Sequence, residues 1–164
     1  MTTHDDRWEP DEHLRFAAHL ARLRQVPPET TGTAAAEASE AELVGRVLAD
    51  PDRVMARSAV LRHLDRRAAE LLPDPAFVGW SRELARAVAG DAFLLRRLRE
   101  WSLVRAIALE LPWQAEELLA ASDWLQLTVA TGADRPAARG ALALLAEGGR
   151  TRRIRAAARA AHGR

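Results

Sequence analysis

The apolar positions of the chain recur with the three-to-four-residue spacing of amphipathic helices. In the segment 10–25, Leu14, Ala17, Ala18 and Ala21 fall on one face of such a helix. The same spacing returns in one segment after another toward the C-terminus. We therefore predict an all-α protein of about nine helices joined by short turns.

Residues that favour helix ends mark most of the predicted boundaries. Ser39 and Glu42 have the spacing of a capping box, which predicts that a helix begins there. Asp50–Pro51 and Asp74–Pro75 each predict a helix with Asp as its N-cap and Pro as its first residue. Gly90 predicts a helix end in the left-handed conformation. Further predicted boundaries lie at Asp91, at Ser122 or Asp123, at Gly132, at Asp134, at Gly148–Gly149 and at Thr151.

These boundaries divide the chain into four segments. Residues 1–25 are predicted as an N-terminal segment with one helix. Residues 26–38 are predicted as a flexible linker, because the run from Val26 to Thr33 shows no helical periodicity. Residues 39–149 are predicted as a helical-repeat domain, and residues 150–164 as a basic C-terminal helix or tail.

The repeat prediction comes from three similar segments, in which a turn is followed by a helix carrying an arginine. The three arginines, Arg57, Arg97 and Arg139, lie 40 and 42 residues apart. Two helices in each period of about 40 residues are typical of repeats that bury their apolar faces only by stacking on their neighbours. The turn Asp50–Asp52, with Val54 and Arg57 after it, resembles the turn and second helix of HEAT repeats.

The C-terminal half also resembles the leucine-rich repeat variant. Trp101 and Trp124 lie 23 residues apart, and Pro112 and Pro136 lie 24 apart. Gln126 stands where that family usually has Arg. The chain has no cysteine, so the iron–sulfur cluster of one such protein has no ligands here and the resemblance implies no cofactor. Over residues 41–158 at most, both resemblances imply a right-handed α-solenoid; the alternative is a compact irregular helical bundle.

The composition supports a helical protein and removes several kinds of chemistry. The chain contains 35 alanines, and only 5% of its residues are aromatic, which disfavours β-sheet. The absence of cysteine excludes a disulfide scaffold, a thiolate metal site and a cysteine nucleophile. Every one of the 24 cations is arginine, so no lysine is present to contact a nucleotide phosphate.

No pattern of residues predicts catalysis, a bound metal or a bound cofactor. His13 and His19 are six residues apart, whereas two ligands on one helix face lie about one turn apart. Glu116 and Glu117 are adjacent and therefore diverge around a helix, while general acid–base catalysis needs convergent groups. We expect no catalytic, cofactor-binding or metal-ligating residues.

Charge is distributed unevenly and gives the best candidate for binding. Residues 1–147 carry 18 Arg and 23 Asp or Glu, whereas residues 148–164 carry six Arg and no acid. In a terminal helix, Arg152, Arg155 and Arg159 would share a face that can lie along phosphates. The alternatives are that they stabilise the end of a helix or form the polar cap of a terminal repeat. The candidate binding residues are Arg150, Arg152, Arg153, Arg155, Arg159 and Trp8. Trp8, before the first helix, is predicted either as an exposed anchor for a partner or as a hydrophobic staple that packs back onto that helix.

We therefore expect a non-catalytic helical-repeat module that acts as a scaffold or adaptor for a protein partner. The alternative is a nucleic-acid-binding protein that uses the arginine-rich C-terminal helix. The acidic start, Met1–Asp6, predicts no signal peptide, and no apolar run predicts a membrane span. A cytoplasmic location is the corresponding expectation. The residues do not indicate the identity of the partner or the oligomeric state.

Overall fold

The computed structural model describes residues 11–25, 33–132 and 138–163. Within these ranges the protein forms nine helices and no strand, which confirms the all-α prediction. No helix in the described part is both long enough and apolar enough to cross a membrane. The helices are α1 (Asp11–Arg24), α2 (Ala34–Leu48), α3 (Arg53–Leu71), α4 (Phe77–Ala87), α5 (Ala92–Ala108), α6 (Ala115–Ala120), α7 (Asp123–Thr131), α8 (Arg139–Gly148) and α9 (Arg152–His162).

The chain divides into two compact units, Met1–Leu95 (the N-terminal unit) and Arg96–Arg164 (the C-terminal unit). In the N-terminal unit, α1 packs on α3, and α2 packs on both α3 and α4. Three alanines of α3, Ala56, Ala59 and Ala68, are fully buried. Because their side chains are so small, the neighbouring helices can approach α3 closely.

In the C-terminal unit, α9 packs on α7 and α8, and α6 packs on α8. Its core is built from aliphatic side chains on all of these helices together with the indole of Trp101 on α5. The buried aliphatic residues include Leu98, Val104, Ile107, Leu118, Leu125, Val129, Leu142, Leu145 and Ile154.

Several predicted helix boundaries are confirmed. The Asp91 carboxylate accepts hydrogen bonds from the amides of Phe93 and Leu94 at the start of α5. Thr151 caps α9, and Ser122, rather than Asp123, caps α7. Gly132 and Gly149 follow the ends of α7 and α8. The predicted boundary at Asp134 and the candidate anchor Trp8 lie outside the described residues.

Two predicted helix starts are wrong for a common reason. Asp50 and Asp74 accept hydrogen bonds from the amides two residues ahead, Asp52 and Ala76, and so form turns before the helices begin. The N-cap of α3 is instead Asp52, whose carboxylate accepts from the Met55 amide.

The predicted start at Ser39 is also wrong. Thr33 caps α2, so the helix begins inside the segment predicted as a linker and runs through Ser39. The alanine-rich run after Thr33 has the highest intrinsic helix propensity, which extends α2 toward the N-terminus.

The left-handed residue that ends a helix is also not the predicted one. Gly90 lacks a left-handed conformation, whereas Glu110 has it, with φ of 55°. The Leu111 amide donates to the carbonyl of Ala106 at 2.9 Å, which closes the end of α5 around Glu110. A side chain in this conformation is strained.

We expect Glu110→Gly to raise the free energy of unfolding by about 0.5–1 kcal/mol, because glycine adopts this conformation without strain. The control is Glu116→Gly, which places glycine inside α6 at another exposed glutamate and should lower stability by about 1 kcal/mol. Urea unfolding followed by circular dichroism measures both changes. Equal destabilisation by the two variants would contradict the assignment of Glu110.

Candidate functional site

The predicted arginine site divides into exposed and engaged side chains. On α9, Ile154, Ala158 and Ala161 are buried, while Arg152, Arg153 and Arg159 are exposed. In the described part of the chain, these three arginines form no ion pair. They are exposed to solvent and accessible to a ligand.

Arg155 and Arg150 are held by the protein itself. Arg155 is half-buried, and its Nη1 donates to the carbonyl of Gly149 at 2.6 Å. The Nε of Arg150 lies 3.0 Å from Oδ1 of Asp123, and its Nη1 donates to the Ala121 carbonyl at 3.3 Å. The five candidate arginines therefore do not form one continuous charged stripe.

A cluster of ionisable side chains lies in the core of the N-terminal unit. The carboxylate of Glu40, on α2, accepts from Nε2 of His63 at 2.7 Å and from Nε1 of Trp80 at 2.9 Å. It also accepts from Nε and Nη2 of Arg67, each at 3.2 Å. The side chains of Glu40, His63 and Arg67 are at most 3% exposed, so this buried cluster offers no surface to a ligand.

The hydrogen bonds of the buried cluster fix its charge. Burial alone would raise the pKa of Glu40, but the hydrogen bonds from His63, Arg67 and Trp80 outweigh it and lower that pKa from its ordinary 4.5 to about 2. Nη2 of Arg66 lies 3.3 Å from Nδ1 of His63. Because a guanidinium can only donate, Nδ1 accepts, and the proton on Nε2 is directed at Glu40. The buried cluster thus ties α2, α3 and α4 together.

A large concave surface lies entirely within the C-terminal unit. It is an open groove of about 960 Å³ between α5 and the stretch from Pro112 to Trp124. Arg96 and Ala106, which both line it, are ten residues apart on α5, so this wall is about 15 Å long. The other lining residues are Arg99, Glu100, Ser102, Leu103, Trp113, Glu117, Ala120, Ala121, Ser122, Asp123 and Arg150.

The two ends of the groove differ in chemistry. Arg96, Arg99 and Arg150 line one end and are all exposed; we call this the cationic end. Leu103 and Trp113, which are partly exposed, line the other end with Pro112; we call this the apolar end. The direction of α5 sets this order, because Arg96 and Arg99 precede Leu103 along the helix.

Buried polar contacts hold the walls of the groove in place. Oε1 of Glu100, a residue only 8% exposed, accepts from the Ser122 amide at 2.9 Å and so attaches the start of α7 to α5. The guanidinium carbon of Arg97 lies 3.5 Å from the centre of the Trp124 ring, and that ring meets Trp101 edge-on at 5.3 Å. The Arg97–Trp124 and Trp124–Trp101 contacts hold these side chains in place near the cationic end of the groove.

Gln126 fixes the opposite side of the groove from within the core. It is fully buried, and its Nε2 donates to the carbonyls of Leu118 and Leu119 at 2.9 and 3.1 Å. Its Oε1 accepts from the Arg150 amide at 2.9 Å. One side chain thereby joins the end of α6, α7 and the loop before α9.

The two serine hydroxyls that line the groove hydrogen-bond to the backbone of their own helices. The Ser102 hydroxyl donates to the carbonyl of Leu98, and the Ser122 hydroxyl accepts from the Leu125 amide. Neither hydroxyl has a histidine beside it among the described lining residues. The residues that line the groove present aromatic, small apolar and charged surface.

Sequence reasoning missed the groove. Trp113 and Trp124, which line it, are both only partly buried. The available signal was Gln126, the departure from the repeat pattern, which supports the wall at Leu118 and Arg150. Comparison with protein-family models, curated proteins and solved structures finds no match for this chain.

The stability of the N-terminal unit should depend on the charge of Glu40. Because the folded-state pKa is about 2 against 4.5 ordinarily, the contribution is complete above pH 4.5 and is lost as the pH falls toward 2. One pKa unit corresponds to about 1.4 kcal/mol, so the loss is about 3 kcal/mol. Urea unfolding at a series of pH values measures it.

We expect Glu40→Gln to cost about 3–5 kcal/mol at neutral pH, because Arg67 then stays buried beside a neutral group. The difference between wild type and variant should shrink as the pH falls. Glu70→Gln is the matched control, since Glu70 also pairs with Arg67 but its side chain is 41% exposed, and the change should cost under about 1 kcal/mol. Similar costs for the two variants would contradict the role of Glu40.

Proposed function

We propose that the protein is a non-catalytic interaction module that binds a segment of a partner protein in the groove of its C-terminal unit. The groove itself is the observation that supports this function. It has both Trp and Arg on its walls, the residue types that dominate binding hot spots. Its volume, about 960 Å³, is at the upper end of the range for ligand pockets.

The helix packing supports the helical-repeat part of this proposal. Within each unit, helices contact the second helix along the chain, as α1 with α3, α2 with α4, α6 with α8, and α7 with α9. Stacked helix pairs in solenoids make contacts of this kind. A solenoid-like stack with a scaffold or adaptor role is therefore the architecture that we favour over an irregular bundle.

Site-specific photo-crosslinking in native extract tests the proposed function. A photoreactive amino acid at Leu103, in the groove, should give a discrete protein adduct. The same amino acid at Val78, which is 52% exposed on the N-terminal unit, is the matched control and should give none. Trp113→Ala should remove the Leu103 adduct, because it removes the ring from the apolar end.

A second candidate function is nucleic-acid binding through α9, which the exposed Arg152, Arg153 and Arg159 favour. Nuclease treatment of the extract distinguishes protein binding in the groove from nucleic-acid binding through α9. An adduct at Leu103 that survives nuclease supports the protein partner. Equal adducts at Leu103 and Val78, or no adduct at either, would contradict the proposed function.

A further inference from the structure

Charge distinguishes the C-terminal unit from the rest of the chain. The N-terminal unit carries 12 Arg and 16 Asp or Glu, a balance of −4, whereas the C-terminal unit carries 12 Arg and seven acids, a balance of +5. A field of this sign raises the association rate of acidic partners and repels basic ones. The excess lies in residues 150–164, which carry six Arg and no acid and which include Arg150 of the groove.

The acidic side chains of the groove are already engaged within the chain. Glu100 accepts from the Ser122 amide, and Asp123 pairs with Arg150. The Oε2 of Glu117 faces the Gln114 amide at 3.5 Å. A basic ligand would therefore compete with existing contacts at these carboxylates.

The cationic end, in contrast to these engaged carboxylates, includes an exposed arginine that a ligand can reach. Arg99 is exposed and has no ion-pair partner in the described part of the chain. Arg150 is held in place by Asp123 and by the Ala121 carbonyl, so its guanidinium is already ordered. A carboxylate arriving here would gain charge-assisted hydrogen bonds, and the Arg150 side chain would lose little further entropy.

On the basis of the proposed function, we infer that the groove binds an acidic segment of a partner protein. An apolar side chain of that segment packs at the apolar end, against Trp113, and one or more carboxylates meet Arg99 and its neighbours at the cationic end. An extended chain advances about 3.3 Å per residue. The wall of about 15 Å therefore spans four or five residues and separates the two anchors by three or four positions.

Fluorescence anisotropy with defined peptide pools tests this inference on the full chain. Each pool is a set of labelled dodecamers with a fixed leucine and, four positions away, a fixed Glu, Gln or Lys. The remaining positions are randomised among small and polar residues. A labelled 20-base-pair DNA duplex is measured in parallel. The proteins are wild type, Arg99→Gln, Arg96→Gln/Arg99→Gln and Arg159→Gln, the last being the matched control at an exposed arginine on α9.

We expect the Glu pool to bind more tightly than the Gln and Lys pools, with an affinity that falls as the salt concentration rises. Arg99→Gln should weaken this binding about fivefold, and the double variant about tenfold or more. Arg159→Gln should leave it unchanged. Circular dichroism confirms that each variant folds, and Arg99→Gln disturbs no described ion pair.

Two results would overturn the inference but leave the proposed function standing. One is that the Lys or Gln pool binds as tightly as the Glu pool, and the other is that Arg99→Gln and Arg159→Gln weaken binding equally. Failure of every peptide pool to bind would overturn both the inference and the proposed function. If the DNA duplex alone binds, and Arg159→Gln weakens it, the α9 arginines are the nucleic-acid site instead.

Discussion

A buried polar group must be hydrogen-bonded, and both units of this protein are organised around one side chain that meets this requirement by joining separate helices. In the N-terminal unit, Glu40 accepts from His63, Arg67 and Trp80 and so connects α2, α3 and α4. In the C-terminal unit, fully buried Gln126 uses both ends of its amide to join α6, α7 and the loop before α9. Left unsatisfied, either group would cost several kcal/mol, so each specifies one arrangement of its helices.

Glu40 and Gln126 have different effects on the surface of their units. The Glu40 cluster is closed to solvent, and its tight charge pairing stabilises helices without creating a site. The contacts of Gln126 and Glu100 instead hold the two walls of the groove in place, and Trp113 and Arg99 remain accessible at its opposite ends. Because these contacts already hold the walls of the groove in place, little entropy would be lost when a ligand binds there.

The sequence predicts the class of fold well and the functional surface poorly. Helical periodicity gave the all-α fold, and local capping chemistry correctly placed Asp91 and Thr151. The same chemistry failed at Asp50, because an aspartate that can cap a helix can also accept from the amide two residues ahead, and only the competing Asp52 decides between them. Neither the inward direction of Glu40 nor the exposure of Trp113 follows from local pattern, because each depends on helices distant in the sequence.

We propose the groove of the C-terminal unit as the binding surface of the protein. The tryptophan indole resonances in a ¹⁵N–¹H spectrum of the full chain test it most directly, because Trp113 and Trp124 line the groove while Trp80 is bound to Glu40 in the other unit. On titration with a leucine- and glutamate-containing dodecamer, the account predicts that the Trp113 and Trp124 signals shift and that Trp80 does not. Shifts confined to Trp80, or to backbone amides of α9, would contradict it.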